Sequence, residues 1–246
     1  MHEEYGTLST KFYELSKPVG HSIDGDIEYY FEKLKNIKGK ILEAGVGTGR
    51  MFIPFLKRGL NIDGVDLSSE MLKQCSINMK AHGVSAELYH QDLTKLSLKT
   101  KYDAIVMPTG SFCLLPKNTI MQTLSLFREH LRSGGKIIID IELLPEFSAS
   151  EQNIRSIKLE NLDELLLTTT SESIDFKNQK ILYINKYELK SGGNTLKTEV
   201  SRFVLYWYDI YEFEQLLKQA GFNYISYQIG YGTNNNSSCI TFIATN

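Results

Sequence analysis

Three glycines at alternate positions, Gly45, Gly47 and Gly49, constrain this chain more than any other feature. They end the run Ile41-Leu-Glu-Ala44, which reads as a parallel strand covered on both faces. Lacking a Cβ, they let the backbone turn sharply and come close to a ligand. Behind them, Met51-Phe-Ile-Pro-Phe-Leu-Lys-Arg-Gly59 has helical spacing: Met51, Phe52, Phe55 and Leu56 are apolar, and Gly59 is placed as the stop. Pro54 falls near the first turn, where an amide hydrogen has no helical partner to lose. Strand, glycine turn and helix together form a nucleotide-type corner with a helix N-terminus aimed at a polar or anionic group.

Two common versions of that corner do not fit. A P-loop ends in Gly-Lys-Ser/Thr, whereas this turn ends in Gly49-Arg50-Met51. A dinucleotide fingerprint needs a third small residue where Arg50 stands, because a bulky side chain obstructs the close helix–strand contact. Residues at fixed distances beyond the turn carry the assignment further. Asn61-Ile-Asp-Gly-Val-Asp66 reads as a second strand ending in an acid, nineteen residues after Gly47. That is close to the spacing at which a carboxylate meets a ribose, where it can accept two hydroxyl hydrogen bonds. Ser68 is placed to cap the next helix, with Leu72, Cys75 and Met79 as its buried stripe, and this frees Asp66 for a ligand. Ala86 to Leu93 reads as a third strand ending in Asp92, which suits a ligand or a plain turn. Tyr102 to Pro108 is a fourth, opening onto the loop Thr109 to Pro116. A helix from Asn118 to Leu131, Arg132-Ser-Gly-Gly135 and the strand Lys136 to Ile141 come next.

Glu43 ahead of alternating glycines resembles motif I of the class I S-adenosylmethionine-dependent methyltransferases, and the order of elements up to residue 144 agrees with that family. The resemblance implies an α/β fold: a Rossmann-like seven-stranded methyltransferase sheet with an inserted antiparallel β-sheet lid. It implies S-adenosyl-L-methionine as cofactor, held by Glu43, Ala44, Gly45, Gly47 and Gly49 at the turn and by Asp66, Leu67 and Met71 after the second strand. Asp92 would take the adenine amino group, the Leu93 amide a ring nitrogen, with Gln91 beside them. Met107, Pro108, Thr109 and Ser111 would lie next to the sulfonium, some of them only shaping the loop. Tyr13, in a leader that looks like those of related enzymes, belongs either to a lid over the cofactor or to an arm packed on the core.

From Glu142 the pattern changes. Residues 154–206 alternate polar and apolar side chains in runs at Leu165 to Thr170, Ile181 to Leu189 and Thr195 to Tyr206, with Ser191-Gly-Gly-Asn194 as a hairpin turn. These predict an antiparallel sheet of three or four strands inserted after the fifth core strand. Tyr206-Trp-Tyr208 would line a substrate pocket or anchor this sheet to the core. Asp24 or Asp26 is expected to cap a helix running to Leu34, and Asp209 one ending at Gly221. Strands at 223–230 and 238–244, joined by a polar turn at 230–236, would close the core, one of them antiparallel. The expected division is an arm and helix over 1–37, a cofactor core over 38–147, an insert over 148–206 and closing elements over 207–246.

A net charge of −2 argues against a nucleic-acid partner, which usually calls for a concentrated basic face. No apolar run reaches the ~18 residues that span a bilayer, and Met1 to Tyr5 lack a signal's basic and hydrophobic regions. Cys75, Cys113 and Cys239, odd in number and without a Cys-x-x-Cys pair, fit a reducing cytoplasm and no zinc site. The expectation is an enzyme, monomer or homodimer, moving a methyl group to an N or O atom of a small molecule. Glu142, Tyr208, Tyr13 and His21 are conceivable helpers, and no catalytic residue is singled out. The rivals are a nicotinamide-dependent oxidoreductase, a decarboxypropylating polyamine synthase and a non-catalytic cofactor-binding protein.

Overall fold

The computed structural model describes residues 5–160, 163–231 and 237–246. Two helices, α1 (Thr7–Ser16) and α2 (Asp26–Leu34), precede the first strand. Then come β1 (Ile41–Ala44), α3 (Phe52–Lys57), β2 (Ile62–Asp66), α4 (Ser69–Ala81), β3 (Leu88–His90), β4 (Tyr102–Met107), α5 (Ile120–His130) and β5 (Leu131–Glu142). Four strands then succeed one another with no α-helix among the described residues between them: β6 (Gln152–Lys158), β7 (Glu164–Asp175), β8 (Lys180–Ser191) and β9 (Asn194–Tyr206). The chain finishes with α6 (Ile210–Gln219), β10 (Asn223–Ile229) and β11 (Cys239–Thr245).

The larger sheet has the order β10-β11-β5-β4-β1-β2-β3. Its strands are parallel from β3 to β5, and β11 runs antiparallel to both β5 and β10. The two-residue period of a strand sorts the side chains into two cores. Leu42, Ala44, Ile105, Ile137 and Ile139 join α5 and α6 on one face. Ile41, Ala104, Val106 and Ile138 join α2, α3 and α4 on the other. Charged exceptions to this apolar rule are tied down. Asp140, fully buried in β5, accepts from the hydroxyls of Tyr30 (2.7 Å), Tyr231 (2.6 Å) and Thr241 (2.6 Å) and from the Thr109 amide (2.6 Å). It thus links α2, β11 and the loop after β4.

The smaller sheet is the antiparallel meander β6-β7-β8-β9. Gly192 and Gly193 both take positive φ, 54° and 84°, in the turn that joins β8 to β9. That is the backbone a two-residue hairpin requires and the reason for a Gly-Gly pair there. One face of this sheet presents Leu165, Leu167 and Tyr187 to Leu8 and Phe12 of α1. Tyr208 packs on Phe112 and Phe213 in the large core, with Tyr206 against the same cluster, so these two rings anchor the insert, whereas Trp207 packs on Phe176 within it.

Several sequence expectations shift. Helix α5 ends at His130, one residue short of Leu131, and its strand begins at once with a register irregularity opposite Tyr102 to Ala104. The expected third strand shrinks to Leu88–His90. Neither Asp24 nor Asp26 is the cap residue of α2: Asp24 lies before it at φ 51°, Gly25 is the cap residue, and Asp26 is the first helical residue, its carboxylate accepting from the Ile23 and Ile27 amides and from Arg50. Ser68 and Asp209 do cap α4 and α6, accepting from the amides of Met71 and Glu212. Most of the polar turn expected at 230–236 lies outside the described residues.

Candidate functional site

The carboxyl ends of β1, β2 and β4 meet at the glycine turn. Gly45 and Val46 donate their amides to the Val65 carbonyl at 2.8 and 3.1 Å, stitching the turn to the end of β2. The Gly47 amide donates to Asp66 Oδ2 at 2.8 Å, and the Ser68 amide to Oδ1 at 2.9 Å. The glycines face different surroundings. A Cβ on Gly47, at φ 55°, would meet nothing within 4 Å; one on Gly45 would meet Ser111 at 3.5 Å. One on Gly49 would overlap Cys75 Sγ at 2.9 Å. Gly47 therefore fronts open space and Gly45 sits beside the Ser111 loop, while Gly49 serves helix packing.

Glu43 points inward from β1 and is 3% exposed. Burial pushes its carboxyl up to about 8; Arg50 opposes this, while Asp26 and Asp66 add to it. Its Oε2 has no hydrogen-bond partner among the described residues. A buried, unpartnered carboxyl oxygen costs about 1–3 kcal/mol, and a cationic ligand group would remove that cost. The Arg50 side chain turns away from the glycine face: Nη2 pairs with Asp26 Oδ2 at 2.6 Å and Nη1 donates to the His21 carbonyl at 2.7 Å. Burial raises the Asp66 carboxyl, against the pull of the Ser68 and Gly47 amides.

The other sequence-chosen residues divide. Asp92 uses Oδ1 to cap the short turn Leu93–Lys95, accepting from the Thr94 amide and hydroxyl at 2.9 and 2.7 Å. Oδ2 is the oxygen the cap leaves over. Gln91 is spent on Ser97, accepting from its amide and donating to its carbonyl. Leu67 is exposed, whereas Ala44, Met71, Leu93, Met107 and Pro108 are buried behind the turn. Ser111 opens a short turn after Gly110. Of the conceivable helpers, Tyr208 lies in the core, and Glu142 accepts from Ser238 Oγ at 2.7 Å with its carboxyl raised by burial. His21 contributes its backbone carbonyl, to Arg50.

Helix α1 lies over this corner. At its start, the Tyr5 carbonyl accepts from Ser68 Oγ at 3.2 Å. Its free amides at Leu8 and Ser9 donate to the carboxylate of Glu199 on β9 at 2.8 and 3.1 Å, as does Ser9 Oγ at 2.5 Å. A strand of the insert thus caps the leader helix. Tyr13, midway along, has its hydroxyl among Arg50, Glu43 and Asp26, and burial raises its pKa. Glu14, also on α1, bears on Cys75 and keeps a second unpartnered buried oxygen, Oε2. Between α1 and the inner face of the small sheet is a cavity of about 340 Å³, walled by Tyr13, Lys17, Arg155, Tyr183 and Asn185 among others. Sequence reasoning found Tyr13 but missed Glu14, Lys17, Arg155 and Glu199, because α1 and the insert meet through tertiary contacts that no spacing announces. Alternation along β8 was the available signal for Tyr183 and Asn185.

The family model for a methyltransferase domain matches residues 41–135, from β1 to the start of β5. A provisionally named methyltransferase of Geobacillus sp. (strain WCH70) is 31% identical over 103 residues, 42% of this chain and 42% of that protein. The chain spans about half the length, or less, of the curated relatives it matches first. The carboxy-S-adenosyl-L-methionine synthase of Nautilia profundicola is 27% identical over 85% of this chain and 80% of its own. Among solved structures, the sugar N-methyltransferase KedS8 from Streptoalloteichus sp. superposes with a TM-score of 0.78 at 16% identity, covering 100% of this chain and 95% of that one.

Proposed function

We propose, from the premise that this chain is by domain and fold a class I S-adenosylmethionine-dependent methyltransferase, that it transfers a methyl group to an N or O atom of a small molecule. The observation that carries the reading is the unpartnered Glu43 Oε2 beneath the open face of Gly47, with Asp66 beside it. Those residues fit the cofactor. Glu43 would face its ammonium group, Asp66 would accept from the ribose hydroxyls in addition to the two amides it already holds, and the remaining oxygen of Asp92 would accept from the adenine amine. Tyr13 and Ser111 would border the reacting end. Bound there, S-adenosylmethionine supplies a methyl already electrophilic on sulfur.

The chain's own work is then positioning. Holding acceptor and cofactor in line can supply roughly 7–11 kcal/mol of a barrier. Helix α1, capped by Glu199 and preceded by Tyr5 bonded to Ser68, would form one wall of the acceptor cavity. Glu142, at the end of β5, has a carboxyl raised by burial and would suit a protonated acceptor that reached it, but it does not line the cavity and no catalytic residue is assigned. The test is calorimetric titration with S-adenosylmethionine and S-adenosylhomocysteine, and then mass analysis after incubation with amine and hydroxyl acceptors. One-to-one binding of both and acceptors heavier by one methyl support the reading. No binding refutes it, and a cofactor that gains a carboxyl group would favour the synthase chemistry for which the Nautilia relative is named.

A further inference from the structure

The acceptor side of the cleft has a charge pattern of its own. The cavity between α1 and the small sheet is lined by two cationic side chains, Lys17 and Arg155, and by no Asp or Glu among the described residues. Each cation has an ordinary role available. Lys17 stands at the C-terminus of α1, where a positive charge suits the helix dipole, and Arg155 sits on an edge strand, where charge discourages further pairing. Neither role explains why both converge on one hollow. Lys17 Nζ lies 5.3 Å from the Tyr13 ring and the Arg155 guanidinium 5.6 Å from the Phe12 ring, so both stems lean over the aromatic floor made by α1.

Glu43 and Glu14 keep unpartnered oxygens but do not line the cavity, and two other acids near it are held by other groups. Glu199 is held by the Leu8 and Ser9 amides and the Ser9 hydroxyl, and Asp26 by Arg50 and two amides. Glu151 bears only on Tyr183, and from an exposed position. Neither Lys17 nor Arg155 forms a salt bridge with a described residue. Burial, and then the charges of Arg50 and Arg155, lower the pKa of Lys17 against the opposing pull of Asp26, which is itself paired with Arg50. The neutral polar wall also offers donors. Asn185 Oδ1 accepts from Thr169 Oγ1 at 2.8 Å, which leaves its NH2 to donate.

We infer that this cavity binds the acceptor through an anionic group, a phosphate or a carboxylate, held between Lys17 and Arg155 with the Asn185 amide beside them. The inference rests on the methyltransferase reading for the word acceptor, though not for the site itself. It selects against acceptors whose only charge is positive and favours small molecules carrying an acid away from the nucleophile. A charge-assisted hydrogen bond of this kind is the stronger sort, which sets the size of the expected effect.

The experiment titrates inorganic pyrophosphate and, separately, glutarate into the protein by calorimetry at fixed ionic strength, with and without S-adenosylhomocysteine. The expected result is saturable one-to-one binding of at least one anion, weakened about tenfold in Arg155→Gln and in Lys17→Met. The S-adenosylhomocysteine affinity should stay within about twofold in Arg155→Gln, whose guanidinium lies over Phe12 and not over Tyr13. Whichever anion binds tighter identifies the phosphate or the carboxylate. Failure of both anions to bind the unaltered protein, or equal affinity in Arg155→Gln, overturns the inference. Arg155 is exposed and carries the test should Lys17→Met fold poorly. Anion binding that tracks the variants in a protein that ignores S-adenosylhomocysteine would keep the site and remove the methyltransferase function, so the two fail separately.

Discussion

In the large sheet, β1 is buried at all four positions and β4 at five of six, whereas β6 is exposed at six of its seven. The first set is covered by helices on both faces. The second is a single antiparallel layer whose inner face is partly covered by one helix, α1, from the other end of the chain. A strand covered twice reads as an apolar run and tolerates a charge only where partners converge on it, as they do on Asp140. A strand covered once leaves room between sheet and helix, and the cavity lies there. The core therefore forms the densely packed corner around the glycine turn, and the insert with α1 forms the cavity beside it.

Breaking the core should cost most. Asp140→Ala leaves three hydroxyls and one amide without their acceptor, so it should destabilise by roughly 3 kcal/mol or more and lower Tm by about 6–12 °C in thermal scans. A fall of under about 3 °C would mean the hub contributes little. At the corner, Asp66→Ala should weaken S-adenosylmethionine about thirtyfold in calorimetry, some 2 kcal/mol, with a smaller change in Tm. Unchanged affinity would remove Asp66 from the cofactor site. On the insert side, Glu199→Gln removes a charged cap from α1 and should cost about 1 kcal/mol. Its specific sign is faster hydrogen exchange at Leu8 and Ser9 with the core amides unaffected. Equal exchange would show that Leu8 and Phe12 hold the helix without it.

Legibility in the sequence divides along the same line. The glycine spacing, Glu43, Asp66 and the Ser68 cap could be read because each depends on neighbours close in sequence. Three of the inserted strands, β7 to β9, could be read from alternation and from Gly192-Gly193, whereas β6 was not among the runs picked out. Asp92 was harder, since an aspartate at a strand end caps a turn whether or not it meets a ligand, and here it does cap one. The start of β5 was misplaced because Gly134 and Gly135 look like a break, whereas Leu131 already pairs with Tyr102 and the two glycines exchange hydrogen bonds with Asn246 across a register irregularity. Asp140 sat in view in Lys136-Ile-Ile-Ile-Asp-Ile141, yet its four donors come from α2, the β4 loop, β11 and Tyr231 beyond β10. The hold of Glu199 on α1 crosses 191 residues, and no local pattern encodes such a contact.

Glu43 offers the most direct test of the cofactor's placement. Its carboxyl pKa lies at about 8 in the folded chain against an ordinary 4.5, so folding retains a proton between those values. Its contribution to stability is full below 4.5 and is lost as pH rises through 8. A cationic cofactor beside it reverses that preference and expels the proton. Calorimetry of S-adenosylmethionine binding at pH 7, repeated in buffers of different ionisation enthalpy, should report release of up to about one proton by the unaltered protein and none by Glu43→Gln. Binding without proton release, or the same release in Glu43→Gln, would contradict the placement of the cofactor's charge at the end of β1.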